Sequence, residues 1–313
     1  MQTTQQILMI RPARFSANPQ TLASNAFQHP AAADELAASR AQAEFDAYVA
    51  LLREAGVSVW VEQDSGELAT PDSLFPNNWV SFHADGSAIL YPMEAPNRRL
   101  ERNRHILDKL AEAFCLEQVH DLSEFEQQGR FLEGTGSMVL DRQHRIAYLC
   151  RSSRSHPEVM EEVSRHLGYR PFWFSAQDAQ GQPIYHTNVL MSVGRHLAVV
   201  CLEAIPDAAE RAELCRLLAS TNKMLLPITL DQLQAFAGNL LELRSDRGEA
   251  LLAMSRRAWE ALSQQQQREL ERHGRPLLAD LDTIETLGGG GARCMIAEIH
   301  LPQREPVRAE QAA

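Results

Sequence analysis

Short segments in which apolar and polar residues alternate around a turn occur four times along the chain. This alternation is typical of a β-hairpin, because successive side chains of a strand point to opposite faces. The segments are NNWVSFHADGSAILYP, SMVLDRQHRIAYLC, NVLMSVGRHLAVVCL and NLLELRSDRGEALLAM. Their turns fall near Asp85, Arg142, Gly194 and Asp246, at steps of 57, 52 and 52 residues. Spacing this regular predicts an internal structural repeat.

A helical pattern follows each predicted hairpin, and a short apolar run follows each helix. The predicted helices cover residues 97 to 113, 157 to 168, 206 to 220 and 256 to 273. The middle two open beside a proline and acidic residues, as helix starts prefer. The runs RPFWF at 170 to 174 and KMLLPI at 223 to 228 predict a third strand. Each repeat is therefore predicted to be hairpin, helix, strand.

The two ends of the chain predict a fifth unit. A long helical pattern covers residues 33 to 55, and pairing ILMI at 7 to 10 with CMIAEIHL at 294 to 301 would supply the missing hairpin. Five ββαβ units closed into a ring would leave no exposed sheet edge. The predicted fold is an α/β five-bladed propeller in one domain spanning residues 1 to 313, with its core at about 7 to 302. The alternative is an α+β domain with one mixed sheet.

The composition indicates the class of protein and its expected location in the cell. The 313 residues are 44% hydrophobic and 23% charged, which is typical of a globular protein with a large core. No apolar run is long enough to span a bilayer, and the first residues, MQTTQQILMIRP, lack the features of a signal peptide. We therefore expect a cytoplasmic protein. The amino-terminal tail and residues 303 to 313 are expected to be disordered or peripheral.

The net charge and the cysteine content exclude several classes of binding partner and cofactor. A net charge of −11 disfavours nucleic acid and anionic membranes, so a small-molecule partner is the better prediction. The odd number of cysteines, without CxxC spacing, argues against a disulfide framework and a zinc site. No metal or organic cofactor is predicted, and a homodimer is left open. The cysteines are Cys115, Cys150, Cys201, Cys215 and Cys294.

Polar residues recur at equivalent points of the repeat. Asn78, Asn188 and Asn239 precede their hairpin turns by 7, 6 and 7 residues. Strands disfavour asparagine, and equivalent positions of a rotational repeat meet near its axis. These residues are therefore predicted to converge on one central pocket, although an asparagine before a strand is also a common turn or cap residue.

Three further residues are candidates for chemistry at this pocket. Glu133, in FLEGTGSMVL, precedes a predicted strand and is expected to be partly buried, which requires a partner. His186, in IYHTNVLM, is either a catalyst or a core residue whose hydrogen bonds are made within the protein. Cys294 follows four glycines that permit close backbone approach and opens the last predicted strand. It is either a nucleophile or an inert core cysteine.

Taken in order, Asp72 with LFPNNW, then LEGTGS, YHTN and GGGGARCM resemble the amidinotransferase, arginine deiminase and dimethylarginine hydrolase superfamily. The resemblance covers roughly residues 7 to 302 and is nearest to the branch of arginine-deiminase-related, citrulline-utilisation hydrolases. It implies a five-bladed α/β propeller, in agreement with the repeat. It also implies covalent catalysis by a cysteine, without a cofactor.

The resemblance assigns roles where the motifs match. Cys294 matches the nucleophile that attacks the guanidine or ureido carbon, His186 matches the general acid/base, and Glu133 matches the carboxylate beside that histidine. Asp72 matches the first acid of the substrate-binding element. Arg98 and Arg154 resemble the arginines that hold the substrate carboxylate, and a solvated surface charge is the alternative for both.

The sequence departs from the family at two positions. Members that act on a cationic guanidinium typically carry an acid at the position of Asn78. Arginine deiminases carry a second acid in a His-x-Asp pair, which here is His186-Thr187-Asn188. A carboxylate only accepts hydrogen bonds, whereas an amide donates and accepts, as a ureido group does. The substrate is therefore predicted to be L-citrulline. Arginine or methylarginine deimination, amidino transfer and a noncatalytic amino-acid sensor are the alternatives.

Overall fold

The structure is a computed structural model that describes residues 1–30 and 36–304. Residues 305 to 313 of the predicted tail lie outside the described residues, as do residues 33 to 35 of the first predicted helix. Gln303 packs against the protein through a bridge to Phe114. At least the start of the tail is therefore ordered against the core.

Within the described residues, the strands form five three-stranded sheets. In each sheet the central strand pairs antiparallel with one neighbour and parallel with the other. The sheets are β1 (Gln6–Arg11), β2 (Ser58–Gln63) and β15 (Ala297–Ile299); β3 (Val80–Phe82), β4 (Ser87–Leu90) and β5 (Gln118–Asp121); β6 (Val139–Asp141), β7 (Ile146–Cys150) and β8 (Arg170–Phe174); β9 (Met191–Val193), β10 (Leu197–Val200) and β11 (Met224–Pro227); β12 (Leu241–Arg244), β13 (Ala250–Ser255) and β14 (Arg275–Ala279).

Helices make the parallel crossover in every sheet, so all five units are ββαβ, as the spacing predicts. The crossover helices are α1 (Ala37–Glu54), α3 (Arg104–Ala113), α5 (Pro157–Leu167), α7 (Ala208–Ser220), and the pair α9 (Arg256–Ala261) and α10 (Gln264–His273). The fifth unit is built from both chain ends, with Ile7 opposite Glu298. The alternative of one mixed sheet is wrong.

Two predicted helices are divided in the structure. The stretch from 97 to 113 contains α2 (Pro96–Arg99) and α3, because the Asn103 side chain accepts a hydrogen bond from His105 N and caps a new helix. The stretch from 256 to 273 is divided where Ser263 and Gln266 form a capping box. The remaining helices are α4 (Gly134–Ser137), α6 (Thr187–Leu190), α8 (Leu230–Gln234) and α11 (Asp282–Gly288), with 3-10 turns at Pro76–Asn78, Ser123–Gln128 and Leu202–Ala204.

Apolar clusters join each sheet to at least two others. One cluster joins the sheets of β6–β8, β9–β11 and β12–β14, and a second joins the β12–β14 sheet to β1 and β2. A third joins β1 and β15 to β3 and β4, and a fourth joins β4 to β6 and β7. Central strands such as β7 and β10 are buried along their whole length, which explains their continuous apolar sequence.

Candidate active site

A short turn precedes the first strand of every hairpin. Most of the predicted site residues lie on or beside these turns, namely Asn78, Glu133, His186, Asn188, Asn239 and Cys294. The turns occupy residues 76–78, 134–137, 187–190, 235–238 and 292–295. Neighbouring turns are hydrogen-bonded through Asn77 to Thr135 (3.3 Å), Thr187 to Ser137 (2.6 Å), Asn239 to Asn188 (2.9 Å) and Arg293 to Asn239 (3.0 Å). The repeat therefore places equivalent turns side by side, as the matching offsets predict.

Cys294 lies on the last of these turns and not on a strand. The prediction that it opens the strand is wrong, because the chain completes a turn at residues 292–295 before β15 begins at Ala297. Its Sγ accepts hydrogen bonds from Asn188 Nδ2 at 3.4 Å and Asn239 Nδ2 at 3.2 Å. Burial raises the pKa of the Cys294 thiol, with the Asn239 bond and the Arg293 charge opposing it. The resting thiol is therefore protonated at neutral pH.

His186 and Glu133 form a buried pair, with Nε2 and Oε2 2.8 Å apart. Burial lowers the pKa of His186 to about 4, against the effect of Glu133. Burial alone would raise the pKa of Glu133, but Arg154 and His186 hold it well below its usual range. A carboxylate only accepts, so the neutral ring carries its proton on Nε2. Nδ1 is then free to accept a proton. Glu133 occupies the N-cap position of α4, without a side-chain capping bond, and does not enter a strand.

Arg98 and Arg154 are both buried, so neither is a solvated surface charge. Arg98 makes two hydrogen bonds of 2.9 Å to Glu101 and donates to Asn78 Oδ1 at 2.8 Å. Arg154 lies 3.3 Å from Glu133 and 3.2 Å from Glu94. Each guanidinium is thus held by carboxylates of the protein itself.

Asp72 and Asn78 each keep one polar group without a hydrogen-bond partner among the described residues. Asp72 Oδ2 accepts from Asn18 at 2.7 Å, while its Oδ1 is unpaired. Burial raises the pKa of Asp72 against the charge of Arg98. Arg98 has only donors, so its bond to Asn78 Oδ1 fixes the amide orientation and leaves Nδ2 as the free group. This Nδ2 lies beside Gly136, where a Cβ would come within 2.4 Å.

One pocket brings most of the predicted residues together. Its walls include Asp72, Asn78, Arg98, Arg154, His186 and Cys294. Asn188 and Asn239 stand behind the wall and contact Cys294, and Glu133 stands behind His186. The free cavity volume is only about 20 Å³, enough for about one water molecule. A larger ligand can enter only if part of the wall moves.

The segment from Asn18 to Gln28, which the sequence did not indicate, forms one side of this pocket. Thr21 and Asn25 line it, Ser24 accepts from Arg154 at 2.6 Å, and Gln28 Nε2 donates to Gly288 O at 3.2 Å. Tyr185, Phe75 and Glu101 were also missed. Of these three, only Glu101 could have been found from the sequence. It follows Arg98 by three residues, a spacing that allows the two side chains to form an ion pair.

The glycines at 288–291 leave room for a close approach, as predicted. Gly289 has φ of 64°, a left-handed conformation that favours glycine. A Cβ at Gly290 would meet the Phe75 ring at 3.0 Å and Cys294 Cβ at 3.3 Å. The glycine segment therefore lets Phe75 and the cysteine turn pack together at the pocket.

Glu285, behind this segment, supports a prediction about stability. Burial raises the pKa of Glu285 to about 8, although Ser255 and Arg257 oppose the shift, and Arg257 is 3.9 Å away. A carboxyl group whose pKa rises on folding stabilises the fold at low pH, and this contribution is lost as pH rises through about 8. We expect Glu285→Gln to gain about 4 kcal/mol relative to wild type between pH 5 and 9.

Chemical denaturation at several pH values measures this difference in the free energy of unfolding. Exposed Glu112 offers the matched control, since Glu112→Gln should show the same pH dependence as wild type. A constant difference between Glu285→Gln and wild type across this range would contradict the assignment.

Neither a metal centre nor a membrane helix was found in the parts of the chain that the structure describes. No group of three or more His, Cys, Asp or Glu side chains there is arranged to hold a metal ion. No helix of residues 1–30 and 36–304 is long and apolar enough to cross a membrane.

Solved structures with the same fold are known, though at low sequence identity. The arginine dihydrolase ArgZ, from the cyanobacterial ornithine–ammonia cycle, has a TM-score of 0.75 and 15% identity over 95% of this chain and 41% of its own. Its N-terminal domain, covalently bound to a reaction intermediate, has a TM-score of 0.73 and 16% identity over 95% of this chain and 98% of that domain. DDAH from Pseudomonas aeruginosa, in a cysteine-to-serine mutant complexed with citrulline, has a TM-score of 0.64 and 14% identity over 96% and 100%.

This chain therefore spans about two fifths of full-length ArgZ and nearly all of its N-terminal domain. A comparison with curated protein sequences gave no significant match.

The fold and the family model define a class, the guanidine-modifying superfamily, whose dimethylarginine hydrolase and arginine dihydrolase members act on C–N bonds other than peptide bonds. The chain belongs to the N,N-dimethylarginine dimethylhydrolase family, whose eukaryotic model matches residues 11–301. The resemblance seen in the sequence is confirmed at this level. The family membership indicates an enzyme and not a noncatalytic sensor.

Proposed function

We propose that this protein hydrolyses the ureido group of L-citrulline to give ornithine, carbon dioxide and ammonia. The observation that carries the proposal is the orientation of Asn78. Arg98 donates to its amide oxygen and so fixes the amide orientation, which leaves the donor Nδ2 as the unpaired group that Asn78 offers to a substrate. A guanidinium has no acceptor for that N–H, whereas a ureido group has its carbonyl oxygen.

Two unpaired acceptors complement this donor. Asp72 Oδ1 on the pocket wall and Asn188 Oδ1 behind it have no partner among the described residues, and in this proposal both accept from ureido N–H groups. A buried polar group left unpaired costs about 1–3 kcal/mol. One donor and two acceptors therefore favour a substrate that offers both kinds of group.

The chemistry follows from the protonation states of the resting site. The Cys294 thiol passes its proton to His186, and the resulting imidazolium is stabilised by Glu133. Sγ attacks the ureido carbon, the bond from this carbon to the ornithine nitrogen breaks, and His186 protonates the leaving amine. Water, activated by His186, then hydrolyses the S-carbamoyl cysteine to carbamic acid, which decomposes to carbon dioxide and ammonia. Asn188 and Asn239 donate to the sulfur and stabilise its thiolate.

A second candidate is hydrolysis of arginine or a methylarginine, and the family description names N,N-dimethylarginine. The observation in its favour is charge, because four carboxylates surround the two buried arginines. They are Asp72, Glu94, Glu101 and Glu133. Such an excess favours a cation. The proposed role of Arg98 and Arg154 in holding a substrate carboxylate stays a prediction, since both pair with protein carboxylates here.

The test is a product assay of the purified protein with L-citrulline, L-arginine and methylarginines, in which ammonia is followed and the released amino acid is identified. Ornithine from citrulline, at a kcat/KM above that for arginine, is the expected result. Citrulline formed from arginine or from a methylarginine, with no turnover of citrulline itself, would establish the second candidate instead.

We also propose that residues 7 to 302 form one domain in which the five sheets close into a propeller. The apolar clusters support this, since they connect the sheets in sequence and return from the β12–β14 sheet to β1 and β2. The amino-terminal segment supports it as well, because Gln2 bonds to Leu140 and Val193 while Thr4 bonds to Ile299 and Arg244. The cytoplasmic location and a homodimer stay predictions.

A further inference from the structure

A second pocket lies apart from the candidate active site and shares no lining residue with it. It is formed where the β3–β4 and β6–β7 hairpins turn and where β15 ends. Its volume is about 90 Å³, enough for several water molecules or one small polyatomic ion. The side chains that line it are His83, Asp85, Arg142, Arg145, Tyr169 and His300, with Met1, Ala84 and Leu167. Basic and aromatic groups therefore dominate its wall.

Arg142 is the central group of this pocket. Its side chain is only 7% exposed, yet its guanidinium meets His83 Nδ1 at 3.4 Å and the Glu298 carboxylate at 3.7 Å. Tyr169 is a further neighbour. Both measured distances are long for charge-assisted hydrogen bonds, which are usually about 2.7–2.9 Å. A buried guanidinium with five N–H donors thus lies at the wall of a cavity with a hydrogen bond to Tyr169 and only long contacts to His83 and Glu298.

The acids near Arg142 are engaged elsewhere. Glu298 accepts from Arg293 at 3.0 Å and lies 3.1 Å from His300. Asp85, at the exposed rim, accepts from the Ser87 hydroxyl at 2.6 Å. The carboxylates therefore leave the donors of Arg142 available to a ligand.

The lowered pKa values of the two histidines indicate positively charged neighbours. Burial lowers the pKa of His83 well below its usual value, and the charges of Arg142 and Arg145 lower it further. Burial and Arg142 likewise lower the pKa of His300 to about 4, against the effect of Glu298. Both rings are therefore neutral at pH 7. Because Arg142 donates to His83 Nδ1, the proton of His83 lies on Nε2, where it can be donated to Ser81.

We propose that this pocket binds a small oxyanion, of the size and charge of phosphate, sulfate or a short carboxylate, with Arg142 as its main ligand and Arg145 at the rim. A planar guanidinium matches two oxygens of such an ion. The cavity is too small for a nucleotide or a peptide. The site thus differs from the candidate active site in its residues and in the ligand that it fits.

Isothermal titration calorimetry of the full chain with phosphate, sulfate and acetate, at ionic strength fixed with sodium chloride, tests this proposal. We expect saturable binding of at least one of these ions, one per chain, with a dissociation constant in the millimolar range or tighter. Arg142→Gln should weaken this binding at least tenfold, and Arg145→Gln should weaken it by a smaller factor.

Two controls locate the binding. Arg165→Gln removes an exposed arginine on α5 and should change the affinity less than twofold. Arg154→Gln removes a cation of the candidate active site and should also leave it unchanged. If Arg142→Gln fails to fold, the exposed Arg145 decides, because wild-type affinity in Arg145→Gln would overturn the proposal. Absence of saturable binding, or binding lost in Arg154→Gln and kept in Arg142→Gln, would overturn it as well.

Discussion

Replacement of Cys294 by alanine is expected to lower kcat by on the order of 10⁴-fold or more. The reason is that the proposed mechanism depends on a covalent bond to Sγ, and Cys294 is the one cysteine among the residues that line the pocket. Cys150 and Cys201 are buried, and burial raises the pKa of their thiols to about 12 and 11. Ammonia release from citrulline, and from arginine in parallel, measures the effect.

The matched control is Cys215→Ala, on the partly exposed helix α7, which should retain wild-type activity. Thermal unfolding of both variants separates loss of chemistry from loss of fold. An alanine variant at 294 that is folded and retains more than a few per cent of the activity would mean that Cys294 is a structural residue. The covalent mechanism would then be rejected, whichever substrate is turned over.

The double replacement Asn78→Asp with Asn188→Asp is expected to shift the ratio of kcat/KM values from citrulline towards arginine by about 10- to 100-fold. Each change replaces an amide, which can donate, by a carboxylate that only accepts. Arg98, 2.8 Å from Asn78 Oδ1, would keep the new carboxylate ionised and in place. The two kcat/KM values, measured on the same preparation, give the ratio.

The added negative charge could by itself change the ratio of kcat/KM values, without any change in hydrogen bonding at positions 78 and 188. The experiment therefore needs a control for charge alone. Asn97 is a suitable control because it lies beside Asn18 near the pocket but contacts none of the proposed reacting groups. Asn97→Asp adds a negative charge and should leave the ratio unchanged. An equal shift in both variants, or none in the double variant, would remove the pairing argument and leave the choice of substrate to the excess of carboxylates.

These two experiments fail in different ways. Loss of activity in Cys294→Ala supports the nucleophile for any substrate of this class, whereas the asparagine variants address only the choice between a neutral and a cationic group. Phosphate binding at Arg142 is independent of both, because the two pockets share no residue. The three results can therefore be interpreted separately.

The sequence by itself determined the repeat and the members of the site on the hairpin turns. Period-2 alternation marks a strand wherever it occurs, and four hairpins at nearly equal steps imply equivalent positions for Asn78, Asn188 and Asn239. These signals are local and depend only on neighbours in the chain. The same local patterns did not show where α3 and α10 begin, because side-chain caps at Asn103 and Ser263 decide this.

Only the tertiary structure decided the orientation and charge of the site groups. The amide of Asn78 is set by Arg98, 20 residues away, and the state of His186 by Glu133, 53 residues away. The segment from Asn18 to Gln28 contacts Gly288, some 260 residues further along the chain. Such pairs leave no periodic signal in the sequence. Their hydrogen bonds and the burial that shifts each pKa exist only after distant segments have packed together.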